Sequence, residues 1–395
     1  MKILFYRYGS ICEPDILQVF KDFEITIIEE NTEIDQKSIP APLRIQLLAE
    51  KLLMHTVSFV FSINFFPHVS DICEKLQIPY VCWSVDCPVL ELFSTAVHNK
   101  YNRIFLFDHK QYQRFHPENP ECIFYLPLAT NPDRWDDVIQ HMTDADRSFY
   151  SEDISFVGSL YTEKSPLEHL PLSPYMQGLF SGIAHAQTQV YGYNFLEELV
   201  TDEMVAELKT ADPSFLSIPK PFTDIDRYVA ANYYLGMAVA ADERIRTLNM
   251  LAEDFSVTLY TRSDTTPLRN VICKDGVSTL TEMPKIFHCS KINLNITMKP
   301  IQSGLSLRIW DVLGCGGFLL SNYQMEIPEY FEIGKDLDCY ESLTDLKEKT
   351  AFYLAHDDIR MEIADNGYRK TKQLHTYKHR IASMIQILTR TQPSK

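Results

Sequence analysis

Apolar residues recur along this chain in two alternating registers. Short runs rich in β-branched and aromatic residues read as buried strands: Lys2–Tyr6, Glu24–Ile28, Val57–Ile63, Tyr80–Ser84, Arg103–Phe107 and Ile123–Leu126. Between them lie stretches whose apolar positions fall three and four apart, the helical period: 15–21, 43–54, 69–76, 89–98 and 110–115. This alternation predicts an α/β fold with a mostly parallel sheet covered by helices on both faces. Ligands of such sheets bind beyond the carboxyl ends of the strands. The residues to watch are therefore 7–10, 64–68, 83–87, Asp108 and 127–131.

A polar stretch, 131–153, has no long apolar period and reads as a linker with a short helix. Strand character returns at Ile154–Val157 and ends in Gly158-Ser159, where glycine lets a ligand approach the backbone closely. Residues 165–255 are helical in period but broken by prolines, an insert that suits an acceptor site or a homodimer contact. Strands then recur at 256–260, 271–273 and 292–296, and helices close the chain at 342–355, 359–374 and 377–388.

The segment SLRIWDVLGCGGFLL (306–320) is the densest in information. Leu305, Ile309, Val312 and Leu313 share one helical face, Gly314, Gly316 and Gly317 stop the helix, and Phe318–Leu320 begins a strand. The helix is expected to open at Gln302-Ser303-Gly304. Its free N–H groups and positive dipole end suit a diphosphate there. Lys299 and Arg308 are the candidate cations for that diphosphate, and Asp311 is the candidate partner of a sugar hydroxyl. The glycines lie at the wrong helix end for a phosphate loop, and no dinucleotide or P-loop spacing is present.

Three residues compete for the role of base. Asp86, in CWSVDCP (82–88), follows a strand and could deprotonate an acceptor hydroxyl, or merely cap the turn beyond Pro88. His68 and His109 each follow a strand-like run and titrate near neutrality.

The 306–320 segment, the following IPE (327–329), and WSVDCP, NKYNRIFLFD (99–108) and YLPLATNP (125–132) together resemble the GT-B glycosyltransferases, in particular the spore-maturation CgeB-like group. Many retaining GT-B enzymes carry two acids with seven residues between them. The second matches Asp311, and the first falls on Ser303. The resemblance implies two Rossmann-like domains facing across a cleft. These are an acceptor domain at 1–130, a linker at 131–153, a donor domain at 154–376 with the helical insert at about 165–255, and a C-terminal helix at 377–395 crossing back to the first domain. It implies that Gly158 and Ser159 face the donor phosphates and sugar, that Asp275, Gly276 and Val277 meet the base, and that Ser303, Gly304 and Leu305 lie at the diphosphate. The implied reaction moves a sugar from a nucleotide-diphosphate donor, UDP- or dTDP-linked, to a hydroxyl of a glycan, protein or small molecule. No cofactor or metal ion is expected. Two other readings stay open: a sugar-nucleotide epimerase, and a non-catalytic protein that binds a sugar nucleotide or glycan, which the missing acid at Ser303 favours over the epimerase.

Composition narrows these readings. A net charge of -16 over 395 residues argues against a nucleic-acid partner. Nine cysteines without a CxxC pair suggest thiols in the cytoplasm. MKILFYRYG is broken by Arg7 and reads as a strand, not a signal peptide, and no run of ~20 apolar residues predicts a membrane span.

Overall fold

A computed structural model describes residues 1–36 and 39–391. The chain divides into two compact units. The first is Met1–Leu128, Ser217–Asp224 and Tyr377–Lys395, and the second is Ala129–Leu216 and Ile225–Thr376.

The first unit is built on a six-stranded sheet: β1 (Lys2–Tyr6), β2 (Thr26–Glu30), β3 (Phe59–Ile63), β4 (Tyr80–Trp83), β5 (Asn102–Leu106) and β6 (Ile123–Tyr125). All pairs are parallel, in the order β2-β1-β3-β4-β5-β6. Central strands are buried along their whole length, because helices cover both faces. The rings of Phe5, Phe20 and Phe61 form one aromatic cluster under the helix Glu13–Asp22. β2 begins two residues later than its apolar pattern suggests. Glu24 adopts a left-handed φ of 56° and Ile25 N–H closes back on Phe20 O, so residues 24–25 finish the helix rather than start the strand.

The helix expected over 89–98 is instead two 3₁₀ turns, Leu90–Phe93 and Thr95–His98. Ser94 between them is extended and caps the second turn through Ala96 N–H, while Thr95 N–H goes to Lys220 O. That last bond comes from inside the proline-rich stretch. Residues 217–224 pack in the first unit, where Phe222 N–H also reaches Phe93 O at 2.9 Å. The final helix, Tyr377–Arg390, belongs to the same unit. Lys378 pairs with Asp22 at 3.0 Å, and Arg380 donates to the carbonyls of Pro127 and Leu128.

The second unit repeats the plan with β7 (Ile154–Val157), β8 (Val257–Thr261), β9 (Ile272–Asp275), β10 (Ile292–Asn295), β11 (Leu319–Asn322) and β12 (Asp338–Tyr340). The order is β12-β11-β10-β7-β8-β9, again wholly parallel. Ile154, Phe156, Leu248, Leu251, Leu259, Ile292 and Leu320 are among its core residues. From β7 the chain builds outward to β8 and β9, and from β10 it builds the other way. The carboxyl ends of β7 and β10 therefore flank the topological switch point, where open α/β sheets bind ligands. The polar stretch before β7 forms two helices, Pro132–Gln140 and Asp144–Phe149, the second opened by a Thr143/Asp146 capping box. Among the described residues, no helix is long and apolar enough to cross a membrane.

Two glycines in helices of the second unit separate packing from propensity. A Cβ on Gly367, in the helix Asp357–Leu374, would lie 2.2 Å from Asp336 O and 2.8 Å from Leu313 Cδ2. A Cβ on Gly178, in the helix Pro174–Thr188, would meet nothing within 4 Å. Gly367→Ala should lower the thermal midpoint through a loss of ~1–3 kcal/mol from overpacking. Gly178→Ala should raise it, by about 0.5–1 kcal/mol of helix propensity. Calorimetry of both variants checks the signs, and equal shifts would remove the proposed contact at Gly367.

Candidate functional site

In the second unit, the loops that leave β7 and β10 are joined by one side chain. Arg244 lies on the helix Gly236–Leu251, which enters from a π-helical segment, Ala230–Leu235. Its Nη1 donates to Ser159 O at 2.6 Å and its Nη2 to Ile296 O at 2.8 Å, so the guanidinium spans the switch point. The rings of Tyr161 and Phe156 lie over it, with centroids at 4.6 and 5.3 Å. Tyr161 holds a left-handed φ of 65°, a strained state for an aromatic residue, and its hydroxyl reaches Met298 Sδ at 3.5 Å. Beside it, Gly158 meets only the Phe156 ring, at 3.5 Å from an added Cβ, so the protein itself leaves room there. Ser159 Oγ donates to Glu163 and contacts Ser263 Oγ, which fixes the loop against the end of β8.

Lys299, expected to face a diphosphate, is buried and ion-paired. Its Nζ lies 3.0 Å from Glu243 Oε1, donates to Val190 O and sits over the Tyr191 ring. Burial pushes the Glu243 carboxyl up, and Lys299 beside it acts in the opposite sense. Arg308 turns to Met283 Sδ and the Phe287 ring, and burial lowers its pKa. Asp311 is 5% exposed and accepts a 2.9 Å hydrogen bond from Thr130 Oγ1, which in turn takes one from Trp135 Nε1.

The phosphate helix is corrected in its start. It runs Leu307–Gly314 behind Ser306, not from Ser303. Ser303 is committed elsewhere: its Oγ donates to Glu326 Oε1 at 2.7 Å and its carbonyl accepts Glu326 N–H, which holds 303–305 as a buried loop. Leu305 is therefore a buried loop residue, not the first of the apolar helix face. A buried carboxylate thus stands beside position 303 after all, contributed by residue 326. Asp275 ends β9, and Gly276 and Val277 continue along a cavity of about 700 Å³ shared with Tyr150, Tyr260 and Arg262. Arg262 packs so closely on Gly276 that a Cβ there would lie 2.5 Å from its Cγ. A cavity of about 610 Å³ lies at the opposite strand ends, by Cys289, Gly317 and Tyr368, away from the switch point.

In the first unit the strand ends carry two polar networks. Asp86 is exposed, and its Oδ2 accepts from Asn64 Nδ2 at 2.6 Å. Asn64, at a left-handed φ of 60°, also donates to Tyr8 Oη and takes Val85 N–H on its Oδ1. Asp86 does not cap the next turn, whose N-cap is Val89. His68 belongs to the second network. Tyr6 Oη donates to Glu33 Oε1 at 2.6 Å, so its 3.0 Å contact with His68 Nε2 requires the ring nitrogen to donate. Arg44 pairs with the same Glu33. His109 opens the helix His109–Phe115 behind the N-cap Asp108, its ring 3.7 Å from that of Tyr125. The turn after β1 is already filled: Glu13 Oε1 accepts the N–H groups of Tyr8, Gly9 and Ser10, and Arg7 pairs with Oε2.

Arg244, Glu243 and Tyr161 were not singled out from the sequence, whereas Asn64 stood among the strand-end residues to watch. A signal existed for Arg244. With Ala240, Leu248 and Leu251 it shares a buried helical stripe, a position where an unpaired charge is rare.

Burial holds the His68 imidazole at about 4, with Glu33 and Arg44 acting in opposite senses. Between its ordinary value near 6.5 and about 4, the unfolded chain takes a proton that the folded chain refuses. Stability is thus complete above about pH 6.5 and declines through that window by at most ~3 kcal/mol. Urea midpoints from about pH 7 to 4 should fall less in His68→Gln than in the parent chain. Parallel curves would show that the ring is not held neutral.

Residues 245–386 match the family described as glycosyl transferase-like. HepE of Anabaena, solved with UDP and glucose, is 10% identical over 99% of both chains, with a TM-score of 0.54. Sucrose-phosphate synthase from Thermosynechococcus elongatus is 8% identical over 99% of this chain and 98% of that one, with a TM-score of 0.55. The phage T4 BGT, in complex with its UDP-glucose substrate, is 7% identical over the whole of both chains, with a TM-score of 0.51. No curated protein matches the sequence. The chain thus has the GT-B fold, and its residues 245–386 are similar to the glycosyl transferase-like family.

Proposed function

We propose that this chain transfers a glycosyl group from a nucleotide-diphosphate sugar to an acceptor hydroxyl, in the manner of the CgeB-like enzymes and without a metal ion. The observation that carries this reading is the contrast between the two first turns. In the first unit the backbone N–H groups after β1 already hold the Glu13 carboxylate, an internal anion. In the second unit the turn after β7 is formed by Gly158 and Ser159, at the switch point and beside buried cations. The donor is therefore assigned to the second unit and the acceptor to the first.

In this reading the diphosphate lies by Gly158, Ser159 and the 303–307 loop, Asp311 holds the ribose, and the 275–277 loop meets the base. UDP is the favoured carrier, because HepE and the phage T4 enzyme were solved with UDP or UDP-glucose. Asp86 is the base of an inverting transfer. Its carboxylate takes the acceptor proton as the hydroxyl oxygen bonds to the anomeric carbon, and the bond to the diphosphate breaks with its electron pair leaving on the nucleotide. Cations at the switch point stabilise that leaving charge. Asn64 keeps Asp86 oriented through its Oδ2. The nine cysteines, none in a disulfide, suit a reducing, cytoplasmic setting.

Thermal stabilisation by UDP, dTDP, GDP, ADP and CMP, each with and without magnesium, tests the donor. A shift with one diphosphate that magnesium leaves unchanged is expected, and no shift with any would defeat the reading. Asp86→Asn should lower transfer by a factor of about 10²–10⁴ while UDP affinity stays unchanged. Undiminished turnover would remove Asp86 as the base, and conversion of the free sugar nucleotide to an isomer would point to an epimerase instead.

A further inference from the structure

The cations expected to receive the diphosphate leave no buried donor unsatisfied, while one cation not singled out from the sequence does. Lys299 is neutralised by Glu243, and Arg308 packs on Met283 and Phe287. Arg244 is 9% exposed and, among the described residues, has no carboxylate within ion-pair distance. Its two Nη groups are satisfied by the carbonyls of Ser159 and Ile296, but its Nε is buried with no hydrogen-bond partner. Carbonyl oxygens and ring faces offer only partial negative charge, and the Glu243 carboxylate that also acts on the guanidinium is already paired with Lys299, so the charge is only partly balanced in the interior of the unit. The guanidinium also stands where an open α/β sheet takes its ligand, between the loops after β7 and β10.

What covers this charge is an aromatic side chain, not a carboxylate. The Tyr161 ring lies on the guanidinium, carried by a strained left-handed backbone, with its hydroxyl on the Met298 thioether and Lys164 Nζ 5.0 Å from its centroid. Strain of this kind persists at ligand clamps, where a second arrangement relieves it.

We infer that Arg244 binds the diphosphate of the donor, its Nε–H donating to a phosphate oxygen once the Tyr161 ring has swung off the guanidinium. The inference rests on the donor reading above and adds to it the residue that supplies the charge and the side chain that gates it. The anion supplies the counter-charge that the guanidinium lacks. Arg244 keeps its bonds to Ser159 and Ile296 and so carries the presence of the phosphate to both loops.

The test is calorimetric titration of the full chain with UDP, uridine and inorganic pyrophosphate, for the parent, Arg244→Gln and Arg244→Lys. The parent should bind UDP at least tenfold more tightly than uridine, with pyrophosphate competing. Both variants should lose at least tenfold in UDP affinity and nothing in uridine affinity. A guanidinium that merely braces the two loops would lower both affinities together, and folded variants that bind UDP as the parent does would overturn the assignment. Should neither variant fold, the Arg244 Nε–H resonance of the parent, assigned through its own side-chain connectivities, decides. A shift on adding pyrophosphate supports the inference and its absence overturns it. Tyr161→Gly, which tolerates the left-handed backbone, should speed association of UDP severalfold, and an unchanged rate would remove the gate. If the parent binds pyrophosphate through Arg244 but no nucleoside diphosphate, the transferase reading fails and the anion site remains. If UDP binds equally with and without Arg244, the reverse holds.

Discussion

The bonds from Arg244 to the carbonyls of Ser159 and Ile296 hold together the two strands from which the second sheet grows in opposite directions. β7 and β10 are neighbours in space but are separated in the chain by the whole helical insert and by β8 and β9. Their main-chain pairing spans only residues 154–155 and 292–293. Beyond that pairing the two chains diverge, and the guanidinium fills the gap where the ladder ends. A buried charge is a costly tie, and here it joins two loops that the main-chain ladder does not. The insert thus does more than decorate the unit, since its last helix carries Glu243 and Arg244 to the strand ends.

The two units share a topology and diverge in chemistry at the same structural position. After β1 the chain turns its own Glu13 into the amide cradle, with Arg7 balancing the charge. After β7 a comparable turn presents glycine and a neighbouring cation. One first turn is closed by an internal anion and the other is biased toward an external one. The same position in the topology yields a structural element in one unit and a candidate site in the other.

The parallel sheets were legible in the sequence because buried strands such as FVFSI and YVCW are continuous apolar runs between helical periods. Boundaries were less so. Leu305 is as buried as a helix-face residue but sits in a loop, and periodicity does not distinguish the two. DCY, the whole of β12, is too short to carry a pattern. At the candidate site, local reading and the structure assign the charges differently. Lys299 stands where a phosphate cation was expected, yet its partner Glu243 lies 56 positions away and is invisible to any local window. Arg244 counted as one more polar residue of a helical segment. Its place in an apolar stripe was legible at helical spacing, but the bonds to Ser159 and Ile296 that set it apart join distant positions.

The chain passes between the units at 128/129, 216/217, 224/225 and 376/377. Residues 217–224 leave the insert to lay Lys220 and Phe222 against Thr95 and Phe93. The helix Tyr377–Arg390 completes the first unit with bonds to Asp22, Pro127 and Leu128. On the ribosome, therefore, the order of completion inverts the order of synthesis. The unit that contains the N-terminus waits for the last helix, while every segment of the second unit has been made by Thr376. The first sheet, with apolar strands such as β3 and β4, spends translation without its closing helix, and it is the part of the nascent chain most exposed to misassociation.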